Sequence, residues 1–261
     1  MKRERTLVFA AAILACASAS AAESVTPVTG LDPFFVSGST LLVGEVHGSA
    51  EIPQLLWSMA CNFARAGAPI VVGMEIPSLE QAGIDRYLAS SGSAGDRKQL
   101  LDGAFWSSEF KDGRSSEAVF GLIERIRAAR HRGVSIDFQA VVDSTPGGDY
   151  DAAIARGIER VRGRNRDAVL IVSAGNNHTR VDTVAAAGGI LRQRGISFTS
   201  LDVVTGGGTV WGCGDGCKVH DFDSGHAPSR TWHVDMTPIA GRIWDGTIFI
   251  GRVSASPPAR R

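Results

Sequence analysis

Short apolar segments recur along the chain, and segments with helical periodicity lie between them. The apolar segments are rich in β-branched residues and are bounded by glycine, proline or charge, which is typical of buried strands. The pattern predicts strands at residues 40–45, 69–76, 134–141, 168–175 and 197–204, and a last strand at 246–255 that would lie at a sheet edge. Helices are predicted at residues 51–67, 78–89, 115–133, 150–163 and 179–195. This alternation predicts an α/β fold with a mostly parallel sheet and helices on both faces.

The segment from residue 206 to residue 238 has a different character, because it is rich in glycine and follows neither period. It predicts an irregular loop that would cover one edge of the sheet. Cys213 and Cys217 flank a Gly-Asp-Gly turn within it, and we expect a disulfide between them. The alternative is a metal site made by the two cysteines and His220.

The first 22 residues have the composition of an export signal. A basic start is followed by a ten-residue apolar stretch and then by small residues that suit cleavage after Ala22. We therefore expect a periplasmic or secreted protein. The alternative is lipid attachment at Cys16, which would make the protein an outer-membrane lipoprotein. No other segment reaches the ~18 uninterrupted apolar residues of a membrane span.

Composition and charge restrict the kinds of molecule that the protein is expected to bind. The chain has 261 residues, of which 44% are hydrophobic, and this is enough for one large core. Its 27 basic and 27 acidic residues give a formal net charge of zero. Because no basic excess is present, we expect a small-molecule substrate or ligand and no nucleic acid.

Polar side chains occur where the predicted strands end, which is unusual for apolar segments. The carboxyl ends of parallel strands meet at one edge of the sheet, and open α/β sheets bind their ligands there. Charged groups are rarely buried at such a place without a partner. The residues at these strand ends are Glu45, His47, Glu75, Asp143 and His178. Together they predict a functional site whose side chains could pair, bind a metal ion or perform acid–base chemistry.

Three motifs at these strand ends carry a resemblance to a known group of proteins. In chain order they are LLVGEVHGSAEIP, VVGMEIP and VSAGNNHTR. The ordered set resembles the superfamily that contains erythromycin esterases, the ChaN haem-binding lipoproteins and the Tiki/TraB proteins. The resemblance implies a single erythromycin esterase/ChaN-like domain over residues 38–255, in an exported bacterial protein.

The esterase branch of this superfamily implies an enzyme that hydrolyses an ester, a lactone or an amide. His47 would be the general base, and Glu45 and Glu75 would orient it or hold the water. His178 would assist from the opposite wall. The residues expected to bind substrate are Arg114, Asp143, Asn176 and Asn177.

The other branches imply a protein that binds a ligand without catalysis. In the Tiki-like case, Glu45, His47, Glu75 and His178 would hold a divalent ion such as zinc or manganese. In the ChaN-like case the ligand would be haem, which that branch holds through a tyrosine. Neither Tyr87 nor Tyr150 matches that tyrosine in sequence. We therefore expect a hydrolase, with a haem- or metal-binding protein as the alternative.

Overall fold

The computed structural model describes residues 25–145, 148–237, 241 and 243–260. The predicted export signal and Cys16 lie outside these residues. Ten strands are present in the described part of the chain: β1 Val28–Thr29, β2 Thr40–Glu45, β3 Ile70–Pro77, β4 Ile136–Val142, β5 Val169–Gly175, β6 Thr199–Val204, β7 Gly208–Gly214, β8 Gly216–Phe222, β9 Trp232–Asp235 and β10 Gly246–Phe249. Eight of them form one sheet in the order β1-β9-β10-β6-β2-β5-β3-β4. Only the pair of β9 and β10 is antiparallel among these neighbours, so the predicted mostly parallel sheet is confirmed.

Helices cover both faces of the sheet, as the alternating pattern predicts. The α-helices of the described residues are α1 Glu51–Arg65, α2 Gln81–Ala89, α3 Ala94–Leu101, α4 Ala104–Ser107, α5 Glu117–His131, α6 Tyr150–Arg164, α7 Asn176–Thr179 and α8 Ala187–Gln193. One core packs the helices from α1 to α5 against the sheet, and the other packs α6 and α8. Leu41 and Val43 of β2 belong to the first core and Leu42 to the second, because successive side chains of a strand point to opposite faces. Within the described residues, no helix is long and apolar enough to cross a membrane.

Two predicted elements differ from the structure. The last strand is shorter than residues 246–255 and lies inside the sheet, because β9 pairs with its outer side and β1 pairs with β9. The predicted helix at residues 179–195 is reduced to α8. The segment before α8 instead contacts residues distant in sequence, with the Val181 N–H donating to the Ile243 carbonyl at 2.8 Å, and local periodicity does not contain such contacts.

The glycine-rich segment is more regular than its composition predicts. Residues 208–222 form a hairpin in which β7 and β8 pair over seven positions. The disulfide between Cys213 and Cys217 closes its tip, as predicted, and leaves no thiolates there for the alternative metal site. His220 instead lies 3.1 Å from the carbonyl oxygen of Gly212 within the same hairpin.

The hairpin is attached to the sheet edge at the motif that follows β2. The backbone N–H of Trp211 donates to the carbonyl of Gly48 at 2.9 Å, and its indole N–H donates to the carbonyl of Lys111 at 2.9 Å. Gly48 adopts a φ of +87°, and a Cβ there would lie 1.8 Å from the carbonyl oxygen of Trp211. A glycine is therefore required for this close approach of two backbones.

Replacement of Gly48 by alanine is expected to lower the unfolding free energy by about 2–3 kcal/mol, which is about 5–10 °C in melting temperature for a protein of this size. The methyl group would clash with the Trp211 carbonyl oxygen. The alanine would also have to adopt the left-handed backbone conformation of Gly48, which is strained for a residue with a Cβ. Thermal unfolding followed by circular dichroism measures the effect. Gly214→Ala is the matched control, because no described neighbour lies within 4 Å of its Cβ position. Equal melting temperatures for the two variants would contradict this role of Gly48.

Candidate functional site

The site is built around one imidazole that lies between two carboxylates. Nδ1 of His47 lies 2.6 Å from Oε1 of Glu45, and its Nε2 lies 3.4 Å from Oε2 of Glu75. Both glutamates are only 4% exposed. Glu45 ends β2, and Glu75 lies two residues before the end of β3, which is separated from β2 in the sheet by β5. Because β5 ends in Gly175, no side chain stands between His47 and Glu75, and the two can meet across the intervening strand.

The two carboxylates change the protonation of this imidazole. Burial alone would lower the pKa of His47, but the charges and hydrogen bonds of Glu45 and Glu75 outweigh burial and raise it to about 10. Burial would raise the pKa of Glu75, but His47, Arg114 and the Gly175 N–H lower it to about 2. A pKa raised in this way favours the imidazolium, whose two N–H groups would face Glu45 and Glu75. The imidazolium is a proton donor, whereas the expected role of general base needs the neutral ring.

Glu75 is held by three further donors besides His47. Its Oε1 accepts from Nη1 of Arg114 and from the hydroxyl of Tyr150, each at 2.8 Å, and its Oε2 accepts from the Gly175 N–H at 2.8 Å. Asp112 binds the other side of the Arg114 guanidinium, with Nε donating to Oδ2 at 2.8 Å. The Arg114 guanidinium, expected from the sequence to bind substrate, pairs with two carboxylates, Asp112 and Glu75. Its contact holds the Glu75 carboxylate in place.

His178 lies at the same end of β5 as His47. It lies in α7, directly after β5, and its Nδ1 is 2.8 Å from Oδ1 of Asp151. The Cβ position above Gly175 is 3.3 Å from Cδ2 of His178, 3.5 Å from Nε2 of His47 and 3.7 Å from Oε2 of Glu75. The structure therefore brings Glu45, His47, Glu75 and His178 to one place.

Tyr150 and Asp151 belong to this site although their sequence pattern does not single out either as a site residue. They are the first two residues of α6, and one contacts Glu75 while the other contacts His178. The sequence feature that could have indicated them is Asp149, which precedes them and suits the start of a helix. Its side chain caps the helix by accepting from the N–H groups of Asp151 and Ala152. A helix that starts at the carboxyl edge of the sheet presents its first side chains to the site.

The other expected substrate-binding residues have different partners. Both carboxylate oxygens of Asp143 are engaged, Oδ1 by Thr145 and Oδ2 by Nε of Arg156 at 3.0 Å. The side chain of Asn176 hydrogen-bonds to Asp202, a carboxyl whose pKa burial raises to about 7. Asn177 is exposed. None of these contacts joins Asp143, Asn176 or Asn177 to the Glu/His cluster.

A small cavity lies beside the Glu/His cluster. Its volume is about 20 Å³, and Glu45, His47 and Glu75 line it together with apolar side chains such as Ile52 and Val119. A space of this size has room for a single water molecule. A substrate must therefore approach from the outer side of the cluster, where the side chains of His47 and His178 are 22% and 26% exposed.

The side chains at this edge do not fit a metal ion or haem. Within the described ranges, no three His, Cys, Asp or Glu side chains are arranged to hold a metal ion. A cation at Glu75 would also face the charge of Arg114, which already neutralises that carboxylate. Tyr87 is buried and bound to Glu124 at 2.5 Å, and the Tyr150 hydroxyl is engaged by Glu75.

Comparisons with known proteins relate this chain to others through the fold. No family model and no curated protein matches it. A solved structure of a Bacillus cereus protein superposes with a TM-score of 0.56 and 10% identity, covering 96% of this chain and 99% of the other. A succinoglycan biosynthesis protein superposes with a TM-score of 0.57 and 10% identity, covering 97% and 99%. A mutant of the erythromycin esterase EreC in its open conformation superposes with a TM-score of 0.52 and 11% identity, covering 88% and 78%.

These likenesses confirm the predicted α/β fold, which this chain shares with an erythromycin esterase. At identities of 10–11% they concern the fold alone, because one fold can carry many unrelated activities. The chemistry of this protein must therefore be argued from its own side chains.

Proposed function

We propose that the protein is an exported hydrolase of ester, lactone or amide bonds and a member of the erythromycin esterase/ChaN-like superfamily. One observation carries this proposal: the His47 imidazole lies between two buried carboxylates, Glu45 and Glu75, at the ligand-binding edge of the sheet. A fold shared with an erythromycin esterase supports the same class of reaction. The protein requires no metal ion in this proposal.

His47 supplies the acid of the reaction. The Nε2–H, whose 3.4 Å contact with Glu75 is the longer of the two, turns to the carbonyl oxygen of the substrate and releases its proton when the leaving group departs. Glu45 holds Nδ1, and Glu75 directs Nε2 toward the space above Gly175. The contacts of Glu75 with Arg114 and Tyr150 keep this carboxylate in place during the reaction.

A substrate panel tests the hydrolase function directly. Purified protein is incubated with p-nitrophenyl acyl esters, lactones of several ring sizes and acyl anilides, and product release is followed by absorbance and chromatography. We expect at least one bond class to be hydrolysed at a rate proportional to protein concentration. If folded protein hydrolyses none of the three classes, the proposed function is wrong.

Activity is expected to fall as the pH rises through about 10. The pKa of His47 is raised to about 10, so the imidazolium predominates below that pH and is lost above it. The stability that the raised pKa contributes is fully present below the unfolded-state value of about 6.5 and is lost as the pH rises through about 10. Initial rates between pH 7 and 11 are therefore measured beside circular dichroism at the same pH. Activity that increases through pH 10 in folded protein would show that His47 acts as a base.

A further inference from the structure

The attacking water needs a proton acceptor, and both ring nitrogens of His47 face carboxylates. We propose, building on the hydrolase function above, that His178 is this acceptor and that Asp151 is the residue that positions it. The reacting bond would lie above Gly175, between the two histidine rings. Asp151 and His178 thus form the basic half of the site, and Glu45, His47 and Glu75 form the acidic half.

The two histidine rings approach one point. Cδ2 of His178 and Nε2 of His47 lie 3.3 and 3.5 Å from the same point, the Cβ position above Gly175. In an imidazole ring, Cδ2 is bonded directly to Nε2. Nε2 of His178 is therefore one bond away from the atom that borders this point, and a water molecule and a carbonyl carbon would lie on its outer side, between a donor and an acceptor.

The contacts of His178 determine its tautomer. Oδ1 of Asp151 lies 2.8 Å from Nδ1 of His178 and accepts from the Ala187 N–H at 2.8 Å. A carboxylate only accepts hydrogen bonds, so the proton of the neutral ring is on Nδ1 and the lone pair is on Nε2. The Tyr150 ring packs on His178 with 5.4 Å between ring centroids and limits its rotation.

The protons balance over the reaction. The water oxygen forms a bond to the carbonyl carbon, and one water proton passes to Nε2 of His178. The bond from that carbon to the leaving oxygen or nitrogen then breaks, and His47 gives its proton to the departing atom. The proton on His178 passes to His47, which restores both rings. The products are a carboxylic acid and an alcohol or amine.

The Asp151→Asn variant tests the positioning role. An asparagine amide can donate to Nδ1 of His178, which would move the ring proton to Nε2 and remove the acceptor. We expect kcat to fall by about 10³–10⁴-fold, the cost of this tautomer change in hydrolytic triads, with KM changed less than about 3-fold. Asp182→Asn is the matched control. It removes an exposed ion pair with Arg180 nearby and should retain the activity of the parent protein.

A readout without substrate distinguishes this inference from the hydrolase function itself. Diethyl pyrocarbonate acylates unprotonated imidazole nitrogens, and peptide mapping by mass spectrometry reports each histidine separately. At pH 7 we expect fast modification of His178, slow modification of His47, and at least about 10-fold slower modification of His178 in Asp151→Asn. Equal modification of His178 in both proteins would overturn the role of Asp151, whether or not a hydrolysed substrate has been found. A protein that shows the expected modification but hydrolyses no substrate would overturn the hydrolase function alone.

The Gly175→Ala variant tests the place of the reacting bond. Its methyl group would fill the space between the rings, yet its nearest contact of 3.3 Å requires only a small adjustment of the His178 ring. We expect kcat/KM to fall by at least about 10²-fold while the melting temperature changes by less than about 2 °C. Gly163→Ala is the control, because its Cβ position at the end of α6 has no described neighbour within 4 Å. Full activity in Gly175→Ala would place the reaction elsewhere.

Discussion

Replacement of His47 by glutamine is expected to lower the hydrolytic rate by at least about 10²-fold while the protein still folds. Glutamine has a similar length and can donate to one of the two carboxylates. It carries no proton that it can release to a leaving group, and it cannot neutralise Glu45 and Glu75. The unfolding free energy should also fall by about 2–4 kcal/mol, because two buried carboxylates lose the cation between them.

The measurements are initial rates at saturating substrate and urea unfolding followed by circular dichroism. His131→Gln is the matched control, because His131 is exposed at the end of α5, away from the cluster. It should retain the parent activity. A His47→Gln protein with full activity would remove His47 from the reaction and leave the cluster with a structural role.

Replacement of Glu75 by glutamine is expected to lower the unfolding free energy by about 3–5 kcal/mol and to reduce activity together with it. The carboxylate is 4% exposed and receives four donors, from Arg114, Tyr150, Gly175 and His47. A glutamine has one acceptor oxygen where Glu75 has two. Its NH₂ group would therefore face one of the donors that the second carboxylate oxygen now accepts from. The charge of Arg114 would also lose one of its two carboxylate partners.

Urea unfolding and rate measurements test this prediction, with Glu109→Gln as the control at an exposed position. A double-mutant cycle with Arg114→Met isolates the ion pair. Because the two side chains interact directly, the double variant should lose less stability than the sum of the single losses. Additive losses would show that Arg114 does not stabilise the charge of Glu75.

The end of β2 shows how much of the structure the local sequence pattern predicts. The apolar run ends at Glu45, and the strand ends at the same residue in the structure. Glu75 and His178 likewise follow from β3 and β5, whose boundaries agree with the predicted strands within two residues. These predictions succeed because a buried parallel strand needs a continuous apolar run, and parallel topology then brings the strand ends to one edge.

The partners of these residues follow from no local pattern. Arg114 and Tyr150 are 39 and 75 residues away from Glu75 in sequence, and Asp151 is 27 residues from His178. Loop 108–116 and the start of α6 reach the edge only because α5 and α6 pack on opposite faces of the sheet. Arg114 and Asp143 each carry an ion pair in the structure, and the local pattern indicates neither partner.

The sequence by itself determined the fold class, the disulfide at the hairpin tip and the four side chains at the sheet edge, because these depend on local composition and on a general rule of parallel sheets. The tertiary structure decided the protonation and tautomer of the histidines in the site. The protonation of His47 depends on its distances to Glu45 and Glu75, and the tautomer of His178 depends on its contact with Asp151. Such electrostatic effects act through space over a few ångströms, between groups that only the packed fold brings together.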